Sequence, residues 1–174
     1  MKTLYVVRHA KSSWGDLTLS DFNRPLNDRG QRNAPEMAQR LLKKKIHIDA
    51  FVTSTAKRAL QTASHFIKAY GRSVEELQLQ ESLYHAPASE YFAVISAVDD
   101  RYDSIAVFGH NPGITEFVNQ LTDSRIDNMP TCSIFAVDID TKHWADFEAA
   151  KKKFLFFDSP KQGEDWEQLV FFPP

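Results

Sequence analysis

Short apolar segments alternate along the chain with longer segments in which apolar residues recur at helical spacing. Residues 3–7 are the clearest short segment, because they are rich in β-branched and aromatic side chains and too few to form a helix. We predict a buried strand there. The same pattern predicts five further strands, at residues 49–54, 76–80, 104–108, 131–139 and 154–157.

Helical spacing predicts four helices, at residues 28–43, 56–70, 89–98 and 114–121. The first is the best marked, because Asn27 suits the N-cap position and an acidic residue follows it. Its apolar residues Ala34, Met37 and Leu41 fall on one face, which we expect to pack on a sheet. Gly71 is expected to end the second helix.

Alternating strands and helices predict an α/β fold, a three-layer α/β/α sandwich with a mostly parallel central sheet. The 174 residues suit one domain, which we expect to span residues 1–174. In such folds, sites form beyond the carboxyl ends of the strands. Polar residues follow three predicted strands there: Arg8 and His9, residues 54–58, and His110. We expect them to share one crevice.

The balance of charge limits what the protein can bind. With 21 Lys and Arg against 23 Asp and Glu, the net charge of −2 argues against binding to nucleic acid or to a membrane surface. No apolar run approaches the roughly 20 residues of a membrane helix, and the first one ends too early, at Arg8, for an export signal. The single cysteine, Cys132, excludes an internal disulfide. We therefore expect a cytoplasmic protein whose functional positive charge is local.

The residues that follow the predicted strands suit phosphoryl transfer. A phosphoryl group in transit spreads negative charge over three oxygens, so catalysis depends on fixed positive donors. The arginine fork stays charged and holds two oxygens, which makes Arg8 and Arg58 the expected clamps. A neutral imidazole is available near pH 7, so His9 is the expected nucleophile. The reaction would pass through a phosphohistidine at His9 that water hydrolyses, and this scheme needs no metal ion or cofactor.

The order of these residues resembles the histidine phosphatase superfamily. The segments that carry the resemblance are VRHAKSSW at 7–14, RPLNDRG at 24–30, STAKR at 54–58 and GH at 109–110. The first two, with Asp21 between them, are most similar to the small SixA-type phosphohistidine phosphatases. The resemblance covers most of the chain and implies a phosphoglycerate mutase-like fold, phosphatase activity and a phosphate-bearing substrate.

The resemblance also assigns His110 as a second phosphate donor and raises the question of a proton donor. Some branches carry an acid directly after the second histidine, where this chain has Asn111. Glu81 is the best candidate, and an ordinary solvated carboxylate is the alternative. His85, four residues later, is the one other histidine expected near the crevice. An imidazole leaving group is far less basic than an alkoxide, so a weakly marked acid favours a phosphohistidine substrate.

Other residues near these segments have two interpretations each. Lys11 extends the positive pocket and binds substrate, or it is a solvated surface residue. Asp21, Arg24 and Arg29 are expected to form a salt-bridged loop that shapes the pocket wall. Ser54 and Thr55 are expected to orient the turn that presents the second arginine, although hydroxyl residues are also ordinary helix caps.

The short segments between residues 70 and 104 leave little material for a lid. They favour an open crevice that admits a phosphohistidine-containing protein, a substrate typical of signal transduction. The alternatives are a phosphatase of small phosphate monoesters that uses the same site and a module that binds phosphate without turnover. The apolar residues 166–174 are expected to pack on the body of the protein or on a partner chain.

Overall fold

A computed structural model describes residues 1–162 of the chain. Within them, six strands form one sheet: β1 (Lys2–Arg8), β2 (Ala50–Thr53), β3 (Gln78–Leu79), β4 (Ser104–Gly109), β5 (Ile134–Ile139) and β6 (Lys152–Asp158). The α-helices of the same residues are α1 (Asp28–Lys43), α2 (Lys57–Ala69), α3 (Ala88–Ser96) and α4 (Gly113–Asn119). Short 3-10 helices span Asp21–Asn23, Val74–Glu76, Glu81–Leu83 and Trp144–Asp146.

The strand order across the sheet is β3-β2-β4-β1-β5-β6. The first four strands are parallel, β5 is antiparallel to β1, and β6 is antiparallel to β5. Phe108 of β4 pairs with Val7 on one side and Thr53 on the other, so β1, β2 and β4 end at the same edge. The predicted three-layer sandwich with a mostly parallel sheet is confirmed.

Two apolar clusters, one on each face of the sheet, hold the three layers together. Side chains alternate along β4: Val107 belongs to one cluster and Phe108 to the other. Met37 and Phe66 of α1 and α2 pack with Phe108, whereas α3 and α4 lie on the opposite face, where Phe117 packs with Val107. The sheet is therefore buried on both faces and gives its loops a rigid support.

Most helix and strand ends in the structure lie within two residues of the ends predicted from the sequence. Asn27 caps α1 and accepts a hydrogen bond from the amide of Gly30, and Gly71 adopts the left-handed conformation after α2. The strand predicted at 131–139 starts later, at Ile134. Cys132 has a φ of 61° and its N–H contacts the carbonyls of Arg8 and His9, so residues before β5 form a turn that holds the end of β1.

Within residues 1–162, no helix combines the length and the apolar content that crossing a membrane requires. The expectation that residues 166–174 pack on the body or on a partner lies outside the described residues. A single domain over residues 1–174 and a cytoplasmic location stay predictions.

Candidate active site

The three groups of polar residues predicted from the sequence meet at the carboxyl edge of the sheet. The amide of His9 donates to the carbonyl of Gly109 at 3.1 Å, and the amide of Ser54 donates to the carbonyl of Phe108 at the same distance. These hydrogen bonds extend the parallel pairing by one residue beyond the strands. The loops after β1, β2 and β4 are therefore fixed side by side, as the fold class predicts.

A cavity of about 190 Å³ opens at this edge. Its lining residues are Arg8, His9, Lys11, Ser12, Trp14, Arg24, Arg58, His110, Asn111 and Thr131. They include four cationic side chains and two histidines, and none of residues 1–162 contributes a carboxylate to the lining. Such a lining suits an anion with several oxygens and disfavours a cation.

His9 is held with one ring nitrogen committed to the backbone. Its side chain is buried, and Nδ1 lies 2.7 Å from the carbonyl of Ala10. A carbonyl only accepts, so Nδ1 carries the proton and Nε2 keeps its lone pair. The amide of Ala10 donates to Thr62 Oγ1 at 2.9 Å, which ties this loop to α2. The arrangement gives His9 the tautomer and the fixed ring that a nucleophile needs.

Both histidines of the cavity are neutral at physiological pH. Burial lowers the pKa of His9 well below its ordinary value, and the neighbouring His110, Arg8 and Arg58 lower it further, against the opposing hydrogen bond to Ala10. Burial and the charge of Arg58 lower the pKa of His110 to about 3. The rings of the two histidines lie 5.2 Å apart, centroid to centroid.

We expect the His9 ring to stay unprotonated at Nε2 as the pH falls to 6.5, the ordinary pKa of histidine. A lowered pKa means that the proton binds only at more acidic pH, so the lone pair is still available there. Imidazole ¹⁵N NMR of the wild-type protein measures this directly, with a His9→Gln spectrum to assign the signal. A transition of the His9 signal near its ordinary pKa of 6.5 would contradict the burial argument.

Arg58 is presented from the first turn of α2 and oriented by Asp21. Its Nη1 donates to the backbone carbonyl of Asp21 at 2.7 Å and its Nη2 donates to Oδ2 at 3.1 Å. Asp21 also accepts from Arg24 and from the hydroxyl of Tyr84, the latter at 2.5 Å. The Tyr84 hydrogen bond, with the charges and hydrogen bonds of the arginines, holds the pKa of Asp21 well below its ordinary value. Asp21 therefore fixes two of the cations that line the cavity, Arg24 and Arg58, whereas Arg29, also expected in this loop, is exposed in α1 and outside the lining.

The positive groups of the cavity have unused hydrogen-bonding capacity. Arg8 donates from Nη1 to the carbonyl of Met129 at 2.8 Å, and burial followed by the charge of Arg58 lowers its pKa. Among residues 1–162, four buried side-chain nitrogens have no hydrogen-bond partner, and three are Arg8 Nε, Arg58 Nε and His110 Nδ1. Buried donors without acceptors are uncommon in folded proteins. A bound anion would bring oxygen acceptors to these residues and offset their mutual repulsion.

Two residues far from His110 in the sequence, Ser54 and Tyr91, hold it in place. Its Nε2 lies 2.7 Å from Ser54 Oγ, and its amide donates to the hydroxyl of Tyr91 at 3.0 Å. Ser54 Oγ also accepts from the amide of Ala56 at 3.3 Å, so it orients the turn before α2 as predicted. Gly109 is required beside His110, because a Cβ there would overlap the hydroxyl of Tyr91.

The structure does not bring Glu81 into the cavity lining. Glu81 starts the 3-10 helix Glu81–Leu83 and its side chain is exposed. His85 is exposed as well, with its ring centroid 3.9 Å from that of Tyr84. Tyr84 approaches the site, with its ring centroid 5.7 Å from that of His110, and His85 lies close enough for its charge to lower the pKa of His110. The placement of Glu81 therefore gives no support to its predicted role as proton donor.

Four lining residues had no role predicted from the sequence: Ser12, Trp14, Asn111 and Thr131. Asn111 accepts from Thr115 Oγ1 at 2.6 Å and donates to the carbonyl of Met129 at 3.2 Å, so it braces the segment that contacts Arg8. The Arg24 guanidinium stacks on the ring of Trp14, 3.6 Å from its centroid. Lys11 lines the cavity with an exposed side chain, which agrees with both of its interpretations, and its role in substrate binding stays a prediction.

Comparisons with known proteins agree with this geometry. The sequence model of the histidine phosphatase superfamily (branch 1) matches residues 4–84. An uncharacterized protein of Mycobacterium tuberculosis is 31% identical over 166 residues, which cover 89% of this chain and 100% of the relative.

Solved structures of SixA proteins share the fold. SixA from Agrobacterium tumefaciens superposes with a TM-score of 0.77 at 24% identity, over 91% of this chain and 98% of that one. The protein histidine phosphatase SixA in complex with tungstate also has a TM-score of 0.77, at 22% identity, over 91% of this chain and 97% of the other. The chain therefore belongs to the histidine phosphatase superfamily and has the fold of the SixA proteins.

Proposed function

We propose that this phosphatase removes the phosphoryl group from a phosphohistidine in a protein, through a phosphohistidine intermediate on His9. The observation that carries the proposal is the state of His9. Its Nδ1 proton is engaged by the carbonyl of Ala10, and its ring is buried, neutral and among the cations of the cavity. A nucleophile in this state needs no separate base.

In the first step, the Nε2 lone pair of His9 attacks phosphorus and the bond from phosphorus to the substrate nitrogen breaks. The electron pair of that bond returns to the substrate imidazole. The reacting form of the substrate carries a proton on its other ring nitrogen, so the leaving group departs as neutral imidazole and not as the strongly basic imidazolate. Arg8 and Arg58 neutralise the phosphoryl oxygens, and a ring N–H of neutral His110 donates to one of them. Lys11 adds positive charge at the rim.

In the second step, water attacks the phosphorus of the intermediate. The bond from phosphorus to His9 Nε2 breaks, its electron pair returns to the ring, and inorganic phosphate is released. The hydrogen bond between Nδ1 and the carbonyl of Ala10 persists through both steps, so the nucleophile is restored in the same tautomer. The same cations stabilise both transition states.

Among residues 1–162, no carboxylate lines the cavity, and this favours a phosphohistidine substrate over a phosphate ester. An alkoxide leaving group is strongly basic and needs a positioned acid, whereas imidazole is a weak base. Glu81, the acid expected from the sequence, is exposed and outside the lining. No carboxylic acid of the described residues is therefore positioned in the lining to protonate the leaving group of an ester.

A dephosphorylation panel tests the substrate class. The panel contains a histidine-phosphorylated carrier protein, free phosphohistidine, sugar phosphates and an aryl phosphate, each assayed by phosphate release with EDTA present. We expect the highest kcat/KM for the carrier protein, and no loss with EDTA, because arginine and histidine side chains supply the charge neutralisation.

Two results would favour the alternatives. A strong preference for a sugar phosphate or the aryl phosphate would show a phosphatase of small monoesters. Binding of the carrier protein with no phosphate release from any member of the panel would show a module that binds phosphate without turnover. Activity that EDTA abolishes and a divalent cation restores would contradict the proposed mechanism.

A further inference from the structure

Large apolar side chains are exposed together on the loop between β1 and α1. Within residues 1–162, seven large hydrophobic side chains are exposed, and four of them lie on this one loop. We call these four residues the apolar loop patch: Trp14, Leu17, Leu19 and Phe22, with exposed fractions of 67%, 92%, 38% and 37%. A cluster of this kind on a soluble protein marks an interaction site more often than a single exposed residue does.

Hydrogen bonds hold the loop in a defined shape. The amide of Ser13 donates to the carbonyl of Pro25 at 2.8 Å, and Asp16 Oδ1 accepts from the amide and hydroxyl of Thr18 at 2.9 and 2.6 Å. The buried guanidinium of Arg24 lies beneath the Trp14 ring. The exposure of the apolar side chains is therefore a feature of a structured loop.

The apolar loop patch is continuous with the cavity. Trp14 is itself a lining residue, and Phe22 packs edge-on against Tyr84, with ring centroids 5.1 Å apart. Asp21, next to Phe22, holds Arg58. A molecule that places its phosphoryl group near His9 must therefore rest beside the patch.

A small substrate would leave most of the patch in water. Leu17 is 92% exposed and is not a lining residue, so a ligand confined to the cavity does not cover it. We propose that the apolar loop patch is the surface on which the phosphohistidine-bearing protein docks, through apolar side chains that surround its phosphorylated histidine. This inference rests on the proposed function, and it identifies the surface that recognises the protein substrate.

The Leu17→Ser variant tests the inference. We expect kcat/KM for the histidine-phosphorylated carrier protein to fall roughly 5- to 30-fold, mainly through KM, as for an apolar contact in an interface. Hydrolysis of free phosphohistidine should be unchanged, which also shows that the variant is folded. Val74→Ser is the matched control, because Val74 is also exposed, at 40%, and precedes β3 at the opposite edge of the sheet.

Other outcomes overturn the inference in distinguishable ways. Unchanged kcat/KM for the carrier protein in Leu17→Ser, or an equal loss with both substrates, overturns the docking surface and leaves the proposed function intact. Sedimentation can also show a wild-type dimer that becomes a monomer in Leu17→Ser. That result overturns the docking surface, because a second copy of this chain would then cover the apolar loop patch. Wild-type protein that hydrolyses only small substrates overturns the proposed function itself, and the docking surface with it.

Discussion

Replacing His9 with alanine is expected to lower kcat by roughly 10³- to 10⁶-fold, the range seen when a nucleophile is removed and the rest of the site remains. The loss follows from the proposed mechanism, in which the lone pair on Nε2 of His9 attacks phosphorus. In that mechanism His110 does not replace it, because its Nε2 is engaged with Ser54 Oγ and its unpartnered Nδ1 donates to the phosphoryl group. Phosphate release in steady state and in a single turnover measures the effect.

A matched control for His9→Ala is His47→Ala. His47 is exposed, contacts Asp49 and lies before β2, at the opposite edge of the sheet from the cavity. We expect wild-type activity from this variant. Turnover in His9→Ala within a few-fold of wild type would contradict the role of His9 and would move the reaction to another nucleophile or to direct attack by water.

The second large effect is expected from Arg58→Lys. We expect kcat/KM to fall by roughly 10²- to 10³-fold, the loss typical of removing one electrostatic donor to a transition state. Arg58 uses two nitrogens to contact Asp21 and keeps further N–H groups for the phosphoryl oxygens. A lysine ammonium is a single point of charge and cannot maintain both sets of contacts. Steady-state kinetics on the best substrate of the panel provides the measurement.

Two further variants separate the role of Arg58 from a general effect of charge. Arg101→Lys changes an exposed arginine that contacts Asp99 and Tyr102, and it should be neutral. Asp21→Asn should cost less than Arg58→Lys, because the backbone carbonyl of Asp21 still accepts from Arg58 Nη1. Full activity in Arg58→Lys would show that this position supplies charge alone and that the bidentate geometry is unimportant.

The strands and the main site residues could be predicted because their signals are local. Residues 3–7 and 104–108 are short apolar runs, and each is followed, after one intervening residue, by a histidine that the sheet brings to the same edge. Asn27 and Gly71 marked helix ends because a cap and a left-handed residue each depend on one position. Because parallel strands end at the same edge of the sheet, Arg58 could be expected near His9 although no long-range contact was known.

The contacts that orient the site could not be predicted, because they join residues far apart in sequence. Tyr84 reaches Asp21 across 63 positions, and Ser54 reaches His110 across 56. No pattern within either segment signals the other. Glu81 illustrates the same limit. Its position between the second arginine and the second histidine suggested a proton donor, but in the same segment it is Tyr84 that lies near the His110 ring.

Net charge gave a limited but useful constraint. A value of −2 excluded a broad basic surface, and the structure shows how local the positive charge is. Arg8, Arg24 and Arg58 converge on one cavity with two neutral histidines, while Asp21 supports two of the arginines from outside the lining. A mildly acidic protein can thus present a strongly positive site for a phosphoryl group.

The most direct test of the account is to trap the phosphorylated enzyme. Wild-type protein is mixed with the ³²P-labelled histidine-phosphorylated carrier protein, quenched in alkali within the first turnover, digested, and its peptides are mapped by mass spectrometry. We predict an acid-labile phosphoryl group on His9, and none in His9→Ala. A phosphoryl group on a different residue, or turnover with no label on the enzyme at any time, would contradict the account.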